Sequence, residues 1–177
     1  MQRFLNNNEM GLRIGEELKK RGLTMASAES CTGGTIASMV TAVAGSSSYF
    51  KGAVVSYAVS VKEQVLGVEI REGIVSEDTA RQMALGVARV CGADCAVATT
   101  GVAGPGASDG QPQGTVCISA AHVKSPSDVD NASYVKSPAD VKIISETFHF
   151  DGDREEVILQ AADAALRLLN QLICEEM

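Results

Sequence analysis

The sequence predicts an α/β fold: a three-layer α/β/α sandwich around a mixed, mostly parallel sheet with a late antiparallel hairpin. Three observations predict it. Short β-patterned runs alternate with helical patterns along most of the chain, glycine or a capping side chain punctuates the boundaries, and the last two β-patterned runs have no helical pattern between them.

The elements follow in order. "MGLRIGEELKKRGL" has apolar residues at helical spacing and stops near Gly22. "TMASAE" is short and strand-like, and "TGGTIASMVTAVAG" reads as a helix closing at Gly45. "GAVVSYA" is rich in β-formers and begins at Gly52. In "SVKEQVLGV", Ser60 and Glu63 have capping-box spacing, which predicts a short helix from Ser60. "SEDTARQMALGVARVCG" predicts a long helix from the cap Ser76 to Gly92. "CAVATT" is a buried strand running into the glycine-dense "GVAGPGASDGQPQG", and "TVCISAAHV" and "VKIISETFHF" alternate as hairpin strands do. The final helix, "DGDREEVILQAADAALRLLNQLI", is capped by Asp153 with Glu156 three residues on.

One feature interrupts the hairpin. "VKSPSDV" (Val123 to Val129) recurs as "VKSPADV" (Val135 to Val141), matching at six of seven positions with a period of 12. Two copies are too few for a solenoid, so residues 123–141 read as a duplication that lengthens the hairpin. The remainder of residues 1–177 is consistent with one domain.

Composition narrows the function classes. Of 177 residues, 45% are hydrophobic and 21% charged, and the net charge is -7. No basic face is evident, which argues against nucleic acid as a partner. No apolar run approaches the roughly 20 residues of a membrane span, and "MQRFLNNNEM" lacks a signal-peptide core, so a cytoplasmic protein is expected. Five cysteines without framework spacing (Cys31, Cys91, Cys95, Cys117, Cys174) read as free thiols. Two histidines and no paired CxxC motifs give no support to a metal site, and no cofactor is implied. Apolar helices leave room for a homo-oligomer.

Two constellations carry chemistry. In "AESCTGG", Ser30 stands where a strand hands over to a helix, beside Gly33 and Gly34. It is either the N-cap that such a position favours or a reacting hydroxyl facing the helix-start N–H groups. A nucleophilic serine needs a base, and Lys62 is the candidate. In the first turn of a short helix, the dipole and desolvation both lower an ammonium's pKa towards what a general base needs. Tyr57 ends the preceding strand, where it would orient Lys62 or relay the proton; the plain alternative is a surface lysine near a core tyrosine. The second constellation is "TTGVAGPGASDG". It matches neither GxGxxG nor GxxxxGK[ST], but Gly101, Gly104 and Gly106 allow close backbone approach, and Thr99 and Thr100 offer hydroxyls. Arg154, in the first turn of the last helix, opposes the dipole, which an anionic ligand there would explain; the plain alternative is an i,i+4 or surface ion pair.

In order, "AESCTGG", "YAVSVKEQVLGV", "GIVSEDTARQMALG", "ATTGVAGPGASDGQPQGTV" and "FDGDREEV" resemble the CinA carboxy-terminal domain family, over roughly Arg13 to Leu169. The resemblance implies an α/β/α sandwich and hydrolysis of the carboxamide of nicotinamide mononucleotide to nicotinic acid mononucleotide and ammonia. It implies Ser30 as nucleophile, Lys62 as base and Tyr57 as support. Substrate contacts would come from Glu29, Cys31, Thr32, Gly33, Gly34, Thr100, Gly101, Gly104 and Arg154. Two departures stand out: Tyr57-Ala58-Val59 replaces the Tyr-Ser-Asn of many relatives, and the hairpin is duplicated. Many relatives carry a further amino-terminal domain, so a stand-alone form is expected. The rivals are a catalytically silent nucleotide-binding or regulatory module, a Cys31-dependent amidase and a scaffold.

Overall fold

The computed structural model describes residues 8–126, 129–131, 134–135 and 140–175. Helix α1 (Glu9–Arg21) is capped by the Asn8 side chain, which accepts from the Gly11 N–H, and ends on left-handed Gly22. Strand β1 (Met25–Glu29) leads to α2 (Thr35–Thr41), and β2 (Phe50–Val55) to a single helical turn α3 (Val59–Val61) that widens into a π-helical turn, Lys62–Leu66. Helix α4 (Glu77–Cys91) runs from its Ser76 cap to Gly92. Then come β3 (Cys95–Gly101), β4 (Thr115–Val123), the small pair β5 (Val129–Asn131) and β6 (Tyr134–Val135), β7 (Val141–His149) and α5 (Arg154–Cys174). The Asp153–Glu156 capping box forms as the sequence predicts.

The main sheet has the order β2-β1-β3-β4-β7. β1 pairs in parallel with both β2 and β3, while β4 is antiparallel to β3 and to β7. Four strands therefore point one way and β4 alone is reversed. The late hairpin is in register from Thr115↔His149 to Val123↔Val141. Much of the duplicated insert lies outside the described residues.

The two faces of the sheet differ in side-chain size, because alternate residues point to opposite sides. Met25, Cys95, Val97, Val116 and Ile118 meet α1, α2 and α5 in one core cluster. Ala26, Ala28, Ala96, Ala98 and Ala121 meet α4 in the other. Small residues on the second face let α4 lie close. By length and composition α5 is the one described helix that reaches the size of a membrane span, which the sequence reading does not anticipate. Half of its apolar window is buried, and residues such as Leu166 and Leu169 belong to the core, so within this fold it is a core helix.

Two local expectations are corrected. α2 starts at Thr35, not Thr32, because Gly33 (φ 59) and Gly34 (φ 101) take left-handed conformations before it. The Ser60–Glu63 capping box does not form. Ala58 occupies the cap position without a side-chain bond, and Ser60 lies inside the turn.

The π-helical turn is held from behind. Leu66 is fully buried, and a Cβ on Gly86 of α4 would overlap the Leu66 carbonyl. Gly86→Ala is expected to cost about 1–3 kcal/mol of stability through overpacking, measured as a lower urea midpoint. An unchanged midpoint would show that α4 moves away freely.

Candidate active site

The carboxyl ends of three parallel strands converge, with Glu29 of β1 level with Val55 of β2 and Thr99 of β3. Ligands bind at this edge of open α/β sheets. Ser30 continues β1 by one residue, its N–H donating to the Thr99 carbonyl at 3.0 Å, while the Ser56 N–H donates to the Glu29 carbonyl at 2.8 Å. Both backbone bonds fix where Ser30 leaves the sheet.

Glu29 itself is fully buried. Its carboxylate accepts from Ser27 Oγ (3.1 Å), Thr32 Oγ1 (2.8 Å) and the N–H groups of Gly34 (3.0 Å), Ile36 (3.0 Å) and Ala37 (2.9 Å). An anion at a helix start satisfies the unpaired donors there and complements the dipole. Three sequence expectations fail for this reason. The α2 N–H groups point at Glu29 and not at Ser30. Ser30 is not the cap, since Gly34 holds that position. Neither Glu29 nor Thr32 faces a ligand: Thr32 is buried and also bonded to Thr99 Oγ1 at 2.8 Å. Gly33 and Gly34 lie outside the pocket wall and serve the turn.

Freed from capping, the Ser30 side chain meets Lys62. Lys62 is 1% exposed, and its Nζ lies 2.9 Å from Ser30 Oγ and 2.5 Å from the Ser56 carbonyl. Burial lowers its pKa below the ordinary lysine value. A neutral amine fits these partners: one N–H donates to the Ser56 carbonyl, and the lone pair is free to accept the Ser30 hydroxyl proton. π-helical turns recur at functional sites, and this one swings the Lys62 stem inward.

A pocket of about 320 Å³ opens over this pair. Cys31, Tyr57, Thr100, Gly101, Gly104 and Arg154, all sequence candidates, line it with Ser30 and Lys62. Burial pushes the Cys31 thiol up to about 12, so little thiolate exists near neutral pH. Thr100 Oγ1 donates to the Ile74 carbonyl at 2.8 Å. The expectation that Tyr57 orients Lys62 is corrected: Tyr57 is 62% exposed and its hydroxyl accepts from Arg154 Nη2 at 2.9 Å. Arg154 Nη1 donates to the Gly104 carbonyl. Arg154 thus bridges the β2 end and the glycine loop. Sequence reasoning missed Ser56, whose carbonyl holds Lys62, and Asp109 on the pocket wall. The Asp-Gly turn signal at Asp109-Gly110 was the available clue to the latter.

Fold and pocket together define an α/β domain with a serine–lysine contact at the carboxyl edge of its sheet. The chain belongs to the CinA C-terminal domain family, whose family model matches residues 7–173. It is 39% identical over 165 residues to a nicotinamide-nucleotide amidohydrolase PncC of Enterobacter agglomerans, covering 90% of this chain and 91% of that protein. It is 41% identical over 159 residues to a CinA-like protein of Chlorobium limicola, covering 87% of this chain and 34% of that one. The chain spans about a third of the length of such CinA-like relatives. Among solved structures, a CinA superfamily protein of Klebsiella pneumoniae superposes with TM-score 0.80 at 30% identity, covering 95% of this chain and 98% of that one. A competence/damage inducible protein of Agrobacterium tumefaciens gives TM-score 0.80 at 33% identity, covering 93% and 94%.

The Glu29 cluster makes a clear prediction. Glu29→Gln turns an amide NH₂ towards N–H donors and removes the charge, and is expected to cost about 2 kcal/mol in urea unfolding. Unchanged stability would mean that these five bonds contribute nothing net.

Proposed function

We propose that this protein hydrolyses the carboxamide of nicotinamide mononucleotide, giving nicotinic acid mononucleotide and ammonia. The observation that carries the reading is the 2.9 Å contact between the buried Lys62 Nζ and Ser30 Oγ at the pocket floor. Similarity to an amidohydrolase of nicotinamide nucleotides over nine-tenths of both chains supports the substrate.

Neutral Lys62 takes the Ser30 proton as Oγ bonds to the amide carbon, and the carbonyl electrons move onto its oxygen. With the α2 N–H groups committed to Glu29, the amide of Cys31, which follows Ser30 on the pocket wall, is the donor assigned to that oxyanion. The intermediate collapses, the C–N bond breaks, and the Lys62 ammonium returns the proton to the departing nitrogen as ammonia. Water then gives its proton to Lys62 while attacking the acyl-enzyme, releasing the carboxylate and regenerating Ser30. Arg154, held by Tyr57 and Gly104, is assigned to the ligand phosphate. Tyr57 is thus a positioning residue for Arg154.

Ammonia release from nicotinamide mononucleotide tests this. Ser30→Ala is expected to lower kcat by about 10³-fold or more, and Lys62→Met by about 10²- to 10⁴-fold. Cys31→Ser is expected to retain turnover. Wild-type binding of the nucleotide without ammonia release would instead favour a silent binding module, a reading to which Val59 on the pocket wall, in place of a polar residue, lends a specific observation.

The pH profile gives a second test. The base works as the free amine, so kcat/KM should rise with pH through the Lys62 pKa. Because burial lowers that pKa, the rate should level off below the pH at which an ordinary lysine would titrate. A rate still climbing through the ordinary lysine range would remove Lys62 from the role of base.

A further inference from the structure

We propose that Asp109 makes the pocket selective for a positively charged ring: its carboxylate is the one acidic side chain among the described residues of the pocket wall, and it favours a pyridinium over an uncharged ring of the same shape. The inference rests on the substrate proposed above and adds what distinguishes it from neutral relatives.

The charged groups on the wall are Lys62, Asp109 and Arg154. Lys62 is committed to Ser30 and the Ser56 carbonyl, which leaves one anion and one cation for a ligand. A ligand with a cationic ring and an anionic phosphate complements such a pair, with Arg154 for the phosphate and Asp109 for the ring. Asp109 lines the same pocket as the reacting pair, Ser30 and Lys62. Burial lowers Lys62, and the Asp109 carboxylate is among the charges that act in the opposite sense.

The loop holds this carboxylate in place. Asp109 (φ 52) is the one non-glycine residue with positive φ among the described residues, and Gly110 (φ 73) follows it. Ser108 and Gln111 exchange backbone bonds of 3.0 and 2.9 Å around them, closing a two-residue turn. Ser108 Oγ donates to Asp109 Oδ2 at 3.2 Å. Gln113 braces the loop further, accepting from the Gly106 N–H at 2.9 Å and donating to the Gly152 carbonyl at 2.9 Å. Aspartate tolerates the left-handed conformation, but glycine or asparagine would serve the turn equally well, so turn geometry alone does not call for a charge.

The test compares two ligands that differ in ring charge, nicotinamide mononucleotide and its reduced 1,4-dihydro form. Both are titrated by calorimetry into the full chain carrying Ser30→Ala, which prevents turnover, with and without Asp109→Asn. Asparagine keeps the left-handed turn and an acceptor for Ser108. The Asp109 form is expected to bind the cationic ligand about fivefold more tightly than the reduced one, and Asp109→Asn to abolish that preference. A preference that survives Asp109→Asn, or that is absent from both proteins while both ligands bind, overturns the inference and leaves the proposed function standing. Failure of nicotinamide mononucleotide to bind any form would bring down the substrate assignment, and this inference with it.

Discussion

Glu29 accepts five hydrogen bonds at the end of β1, and the site depends on that one buried carboxylate. It gathers the start of α2, the Thr32 hydroxyl and the strand's own Ser27 around a single negative charge. Because Glu29 supplies the capping function from within the sheet, the neighbouring Ser30 has no structural duty at the helix start. Its side chain is left to the pocket, in contact with Lys62. A buried charge is costly unless fully hydrogen-bonded, and full satisfaction is what this arrangement provides.

The second buried group is balanced differently. Lys62 lies inside the fold with a serine hydroxyl and a carbonyl as its hydrogen-bond partners. Neither is a counter-ion, so desolvation tells against the ammonium. The π-helical turn, anchored by Leu66 against α4, keeps the amine from relaxing outward to water. The alanine-rich sheet face beneath α4 therefore bears on chemistry as well as packing: it sets how near the helix comes, and the helix sets where the lysine stands.

Most of the architecture was legible in the sequence because it rests on local signals. Hydrophobic periodicity and the Ser76 and Asp153 caps marked α4 and α5, Gly22 and Gly92 marked the ends of α1 and α4, and alternation marked the β4–β7 hairpin. Ser30, Lys62 and Arg154 were picked out by residue type at unusual positions, and the fold brings all three to one pocket. What the sequence hid were relations between segments. Nothing local says that Glu29 captures the N–H groups of α2, that Tyr57 reaches Arg154 across 97 positions, or that Ser56 contributes a carbonyl. The Ser60–Glu63 spacing misled because a π-helical turn, driven by the burial of Lys62 and Leu66, overrode a capping preference worth only about 1 kcal/mol.

The bridge from Arg154 to Tyr57 and Gly104 has a consequence for how the protein is made. Residues 30, 62 and 104 leave the ribosome well before residue 154, and domains form as units during synthesis from the amino terminus onward. A nascent chain that lacks α5 has the serine and the lysine but no rim joining β2 to the glycine loop. It also lacks the helix that, together with α1 and α2, covers one face of the sheet. The finished pocket therefore comes into being with the last helix, so completion of the core and completion of the binding site are one event in the life of the chain.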